Sequence, residues 1–320
     1  MATYKISDSM RVGTPVLRVR NIDKVLAFYE RVGLQINRKY PNKNGDLLYE
    51  LGFKRDFYHT NKSTPLLIIH FDPNAKNQSR HSAGLYHFAI LVPDRKSLAS
   101  TYLALKDSGV RFDEFGGYKR TGAANHLITE SLYLTDPENN GIEIYRDRPS
   151  KEWQQDSEGH IMMDILPLDL DALVSEELNK EERERAETFH NGGRIGHIHL
   201  KVSNLERSIR FYHEKVGLDI TGTEKWRSMG VAFLSAGGYH HHIAVNTLNS
   251  LNGEAHTYGE AGLEYFEIIT PDRSSLDTIR SIIYDSVTSE KQKKRQQEED
   301  NKNQILINDP DGIQILIKSE

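Results

Sequence analysis

The sequence predicts an α+β fold in which four βαβββ modules form two open cup-like barrels, and three observations predict it. A strand-like segment recurs four times, as GTPVLRV (13–19), YHFAILV (86–92), GHIHLKV (196–202) and EYFEIIT (264–270). Each copy is followed by a stretch with helical periodicity. Two copies continue into a strand, a DP turn and a second strand, LYLTDPENNGIEIYRD (132–147) and ILINDPDGIQILIKS (305–319).

The first and third modules align as VLRVRNIDKVLAFYERVGLQI (16–36) and HLKVSNLERSIRFYHEKVGLDI (199–220). Asn21 and Asn204 stand where helix N-caps are needed, and Asp23 and Glu206 follow where the helix dipole favours acid. Leu26, Phe28 and Tyr29 share a side of the first helix, as Ile209, Phe211 and Tyr212 do of the second; Gly33 and Gly217 are the stops. In the second and fourth modules, FAILVPDRKSLASTYLALKDSGV (88–110) and FEIITPDRSSLDTIRSIIYDSV (266–287), Pro-Asp-Arg opens the helix. The modules run over 11–72, 84–147, 194–248 and 262–320. The expected domains are therefore 1–147, a linker over 148–193, and 194–320. In the linker, LDALVSEELNKEERERAETF (170–189) reads as a connecting surface helix. One βαβββ unit cannot bury its own sheet face; two side by side close a cup whose concave side is the natural ligand site.

A chain of 320 residues can hold two domains with real cores. With 41 basic against 46 acidic residues, no basic face for nucleic acid is evident. The run Glu290 to Asp300 mixes both signs and reads as a solvated loop or helix end. No apolar run reaches membrane-spanning length and no signal-peptide-like N-terminus is seen, so a cytoplasmic protein without a membrane partner is expected. Cysteine is absent, which excludes disulfides, thiolate metal sites and cysteine nucleophiles. A metal must then be held by His, Asp or Glu, a donor set that suits iron(II), manganese(II), nickel or zinc.

The four strand starts carry Thr14, His87, His197 and Tyr265 at one repeated position, and only the middle two offer an imidazole. In the last strand of the second module, alternation sends Glu143 and Tyr145 to one face and Ile142 and Ile144 to the other. Singly, His87 reads as a core histidine and Glu143 as an exposed residue of a half-buried strand. Together they occupy the two positions that point into a cup. His199 shares the face of His197 and competes with it. His240, His241 and His242 lie on an expected strand (237–246); three consecutive histidines cannot share one face, so at least one faces solvent or makes a structural hydrogen bond. Thr14, Tyr265 and Gln314 leave the first and fourth modules without a metal site. If the second module pairs with the third, His87, Glu143 and His197 converge as a two-histidine, one-carboxylate triad with open coordination positions, a set suited to iron(II). The first and fourth modules would then form a non-catalytic barrel.

These residues resemble the vicinal-oxygen-chelate superfamily and, within it, the extradiol ring-cleaving dioxygenases. Gly196-His197 precedes Phe211-Tyr212 by the interval of that family's first iron histidine, and YHFAILV resembles the segment of the second. HLITESLYLTDPENNGIE (126–143) looks like the catalytic signature, with Asn139 where glycine is usual and Ala124 an unusual residue ahead of the histidine. In well-known members the iron site lies in the third and fourth modules; here the fourth lacks the residues and the second has them. The resemblance implies metal ligands His87, His197 and Glu143, with His199 as alternative. It also implies substrate hydrogen bonds from His126 and Tyr133, and an acid/base role for His241, with His242 or His240 as alternatives within the triplet. The implied reaction inserts O2 into a small aromatic diol beside the hydroxyls, giving a muconic semialdehyde at Fe(II), with Mn(II) as the other metal. Two rival readings are a glyoxalase-type lyase or isomerase and a non-catalytic binder of small molecules. Exposed strand edges predict a homo-oligomer.

Overall fold

The computed structural model describes residues 4–53, 65–113, 121–190, 192–285 and 303–320. The mixed-charge run at 290–300 lies outside the described residues.

In chain order the first module supplies β1 (Arg11–Val19), α1 (Ile22–Val32), β2 (Leu34–Pro41), β3 (Leu47–Phe53) and β4 (Leu67–Phe71). The second supplies β5 (Gly84–Leu91), α2 (Arg95–Asp107), β6 (Ala123–Asn125), β7 (Thr129–Thr135) and β8 (Gly141–Asp147). The linker carries α3 (Leu170–Glu177) and α4 (Lys180–Glu184). Then come β9 (Arg194–Lys201), α5 (Leu205–Arg210), β10 (Asp219–Ile220), α6 (Glu224–Ser228), β11 (Val231–Ser235) and β12 (Ile243–Asn246). The last module has β13 (Gly262–Thr270), α7 (Arg273–Asp285), β14 (Gln304–Asn308) and β15 (Gln314–Ser319).

These strands form two open sheets, not closed barrels. One is seven-stranded, in the order β14-β15-β13-β1-β4-β3-β2; the other is eight-stranded, β10-β11-β12-β9-β5-β8-β7-β6. The chain divides into two compact units, Leu17–Ala75 with His87–Gly196, and Met1–Val16 with Lys76–Tyr86 and His197–Glu320; β1, β5 and β9 each run through a division.

The helix signals act as the sequence predicts. Asn21 accepts from the Lys24 amide and Asn204 from the Arg207 amide, filling N-terminal donors that the helix itself cannot pair. Gly33 closes α1, and Gly217 closes the π-helical stretch Phe211–Val216 that continues α5; they adopt φ of 103° and 91°, a left-handed cap that a side chain would strain. Asp94 and Asp272 cap α2 and α7 by accepting from the Ser97 and Ser275 amides. Asn139 has φ of 68°, a conformation that asparagine tolerates better than most residues, which explains why it can stand where glycine is usual.

Each DP turn clasps the module before it. In the first unit named above, Asp136 accepts the Glu138 and Asn140 amides through Oδ1 and the Tyr29 hydroxyl, 3.3 Å away, through Oδ2. Glu138 accepts the Arg20 and Asn21 amides at 2.7 and 2.6 Å. In the other unit, Asp309 accepts the Asp311 and Ile313 amides and the Tyr212 hydroxyl at 3.1 Å, and Asp311 accepts the Ser203 amide. The helix tyrosine and the helix entrance are thus both held by one acidic turn, twice.

Three expectations are corrected. The linker stretch 170–189 is two short helices, because Asn179 and Glu182 form a capping box that starts a new helix straight after Leu178. His240, His241 and His242 precede β12 instead of lying on it; all three are buried, and His242 makes the structural hydrogen bond expected of at least one of them. Tyr265 pairs with Gln314 as His87 pairs with Gly141, so the residue in register with Glu143 is Leu316, not Gln314. The two turns have the same spacing from aspartate to strand, and only the Gly-Ile pair comes two residues earlier after Asp309. Counted from the DP aspartate, the fifth residue after Asp309 matches Gly141. Leucine has no donor atom for a metal.

Burial pushes Asp136 up to about 6 and Asp309 to about 7; Asp311 adds to the rise at Asp309, and the accepted hydrogen bonds oppose it. Both folded values exceed the roughly 3.9 of an unfolded aspartate. Their contribution to stability is therefore full below about pH 4 and is lost as pH rises through the folded values. Urea unfolding between about pH 4.5 and 8 should show Asp309→Asn with a flatter loss of stability than the wild type. Tyr212→Phe should cost about 1–2 kcal/mol, because a buried carboxylate oxygen loses its donor.

Candidate metal centre

The ligand positions follow from strand register. β5 and β8 are parallel with Ala89 opposite Glu143; β7 and β8 are antiparallel with Tyr133 opposite Glu143. Alternation therefore puts His87, Tyr133 and Glu143 on one sheet face. His87 Nε2 lies 2.9 Å from Glu143 Oε2, and the His87 and Tyr133 rings are 5.8 Å apart. Tyr145, two residues after Glu143, lies fully buried against Gly196, where any Cβ would run into its hydroxyl. The backbone just before His197 can approach that closely only because the residue is glycine.

His126 sits in the turn between β6 and β7. Asn125 Oδ1 accepts the Leu127 amide, and Leu127 takes φ of 71°, a strained value for leucine. Nδ1 of His126 lies 2.8 Å from the Asp164 carbonyl and Nε2 lies 2.7 Å from the Tyr133 hydroxyl. A carbonyl only accepts, so Nδ1 carries the hydrogen; Nε2 of the neutral ring then accepts from Tyr133. The sequence offered no signal for Asp164, since its contribution is a backbone carbonyl, which every residue has.

In the other unit, β9 pairs in parallel with β12, and His197 is almost wholly buried. The His241 ring lies 4.2 Å from the His197 ring, against 6.3 Å for His240. His199 Nε2 accepts from the Asn246 amide at 2.9 Å, and its ring lies 4.8 Å from Tyr86. Ser235 Oγ is 2.8 Å from His242 Nδ1, which also accepts the Ala236 amide, so His242 serves the turn after β11.

One ligand atom from each of His87, Glu143 and His197 lies within 4.8 Å of the others, and all three residues are buried. Among the described residues this is the one such group of three. The donors fit a divalent cation. Ligands about 2.0–2.2 Å from a metal and at right angles sit roughly 3 Å apart, which matches the His87–Glu143 separation. A buried carboxylate is costly unless its charge is compensated, and a bound metal ion would compensate it.

The profile of the Glyoxalase/Bleomycin resistance protein/Dioxygenase superfamily matches residues 11–144 and 194–317, and the chain belongs to that superfamily. A catechol-2,3-dioxygenase of Bacillus subtilis (strain 168) is 34% identical over 276 residues, covering 86% of this chain and 87% of that one. Within the superfamily the chain is accordingly a dioxygenase-like oxidoreductase. Two solved structures share the fold. Glyoxalase I from Zea mays has a TM-score of 0.53 at 15% identity, covering 97% of this chain and 92% of that one. A candidate dioxygenase from Bacillus subtilis subsp. subtilis str. 168 has 0.56 at 14%, covering 98% and 86%. No helix among the described residues is long and apolar enough to cross a membrane.

Alanine at His87, Glu143 or His197 should each weaken metal affinity by well over tenfold in anaerobic titration with iron(II), whereas His199→Ala should leave it nearly unchanged. The reverse pattern for His197 and His199 would move the ligand position by two residues along β9.

Proposed function

We propose that the protein is an extradiol ring-cleaving dioxygenase. It adds both atoms of O2 to a catechol, breaking the ring bond beside the diol to give a muconic semialdehyde. The observation that carries the reading is the buried His87, Glu143 and His197 group in a chain 34% identical to a catechol-2,3-dioxygenase. Two imidazoles and one carboxylate are the donor set of non-haem iron(II) oxygenases, with manganese(II) as the other metal such ligands accept. When bound, the metal lowers the pKa of the diol and supplies the redox chemistry towards O2.

The chain's own residues handle protons and orientation. His241, against His197, is placed to take a proton from a diol hydroxyl and return one later. The Tyr133 hydroxyl, on the face of Glu143, meets a substrate oxygen; a protonated His126 would free that hydroxyl to donate to developing negative charge. The Asp164 carbonyl keeps His126 in the orientation this needs. Burial of the ligands keeps water from competing with the diol. A lyase or isomerase of the glyoxalase type has the same fold, but the likeness to glyoxalase I, at 15% identity, concerns the fold alone. Among the described residues β2, β6, β10 and β14 are the edge strands, and such edges favour assembly into a homo-oligomer.

Anaerobic loading with iron(II), followed by catechol and air, should consume O2 and give a yellow product absorbing in the visible. No O2 uptake with any diol tried would sink the proposal. Tyr133→Phe and His126→Ala should each lower kcat by about a hundredfold while leaving metal content unchanged.

A further inference from the structure

Strand alternation puts Lys201 on the same face of β9 as His197 and His199. It is the last residue of the strand and only partly exposed. Among the described residues it has no carboxylate partner. Burial alone acts on its pKa and lowers it, where a nearby acid would raise it. Asn246 stands opposite it in register, but the Asn246 side-chain amide donates to His199 Nε2 and its oxygen accepts the Leu248 amide.

The repeat shows what is missing. In the first module Arg18 aligns with Lys201, is buried, and pairs with Asp72 at 2.9 Å. The Asp72 amide donates to the Val19 carbonyl, as the Glu320 amide donates to that of Thr270. Glu320 lies two residues past Lys318, the register partner of Ile269, and Asp147 lies two past Tyr145, the partner of Leu91. The first, second and fourth modules thus carry an acid at this point. In the third the place, two residues past Asn246, is held by the exposed Leu248. Leucine cannot pair with an ammonium group, and a partly buried ammonium without a counter-charge is costly. The third module keeps the cation and lacks the acid, so the counter-charge has to come from a ligand.

Distance limits what that ligand is. Four residues of extended strand separate Lys201 from His197, about 13 Å between Cα atoms. The long lysine stem covers part of this span. A diol at His197 with a short carbon chain on its ring covers the rest, and a carboxylate ending that chain supplies the missing charge. We infer that Lys201 is a specificity-determining residue: its ammonium group receives a carboxylate carried on a short chain of the diol ring, and the favoured substrates are catechols with a carboxyalkyl substituent. The inference rests on the ring-cleavage reading above.

The test titrates full-length protein, loaded anaerobically with iron(II), with a dihydroxyphenylpropionate in each ring isomer and with the methyl ester of each. In the wild type the acid of at least one isomer should bind roughly tenfold to a hundredfold tighter than its ester, the range of a charge-assisted hydrogen bond. Lys201→Met should abolish that preference and Lys201→Arg should keep most of it. Equal affinity for acid and ester in the wild type overturns the inference, whatever the folding of the variants; so does an undiminished preference in Lys201→Met. Air is then admitted. A Lys201-dependent preference without O2 uptake leaves the carboxylate subsite standing while the ring-cleavage reading fails. O2 uptake with equal affinities does the reverse, and if neither acid nor ester binds, both fail.

Discussion

A carboxylate buried among strands needs compensating charge, and Glu143 imposes that need here. It sits on a central part of its sheet, flanked by isoleucines that face the other way, with a histidine nitrogen 2.9 Å from one oxygen. Left alone in a dry site, such a group would take up a proton or destabilise the fold. Two imidazoles and a divalent cation would meet the demand, and they would also define what the site can do. The register of β5, β7 and β8 is what makes the arrangement repeatable. One residue of slip on any of these strands would send its functional side chain to the opposite face.

The scaffold that fixes those strands is built from a device used twice. An acidic residue at the start of a DP turn holds the tyrosine of the preceding helix, and a second acid holds that helix's entrance. Both aspartates are buried, so the clasp is strong only because every oxygen has donors. A surface acid could not set the geometry in this way, since water would compete for the same amides. A further buried acid, Glu130, binds Arg95, Arg146 and Arg148 at once, and Arg95 reaches on to Glu176 and Glu177 of α3. The linker is thereby tied to the helix and strand of the second module.

Much of this was legible in the sequence because it depends on period and punctuation. Asn21, Gly33, Asp94 and Gly217 announce helix ends by their chemistry, and strand alternation put Glu143 apart from its isoleucine neighbours. The side chains His87, Glu143 and His197, singled out by position in the repeat, have ligand atoms within 4.8 Å of one another. What was not legible depends on tertiary detail. Nothing in the residue type of Asp164 marks its carbonyl as the partner of His126. The Gly-Ile pair stands two residues nearer the DP aspartate in the fourth module, so residue likeness points to Gln314, whereas the spacing from the aspartate sets the register and puts Leu316 in the place of Glu143. The histidine triplet looked like a strand because it runs into one; the buried hydrogen bonds at His240 and His242 hold it in a turn instead.

The central claim is that His87, Glu143 and His197 hold one iron ion. Anomalous diffraction at the iron absorption edge, from crystals of anaerobically loaded protein, tests it most directly. The account predicts a single strong peak about 2.0–2.3 Å from one nitrogen of His87, one nitrogen of His197 and one oxygen of Glu143. A peak ligated by His199 in place of His197, or one lying away from Glu143, would contradict it.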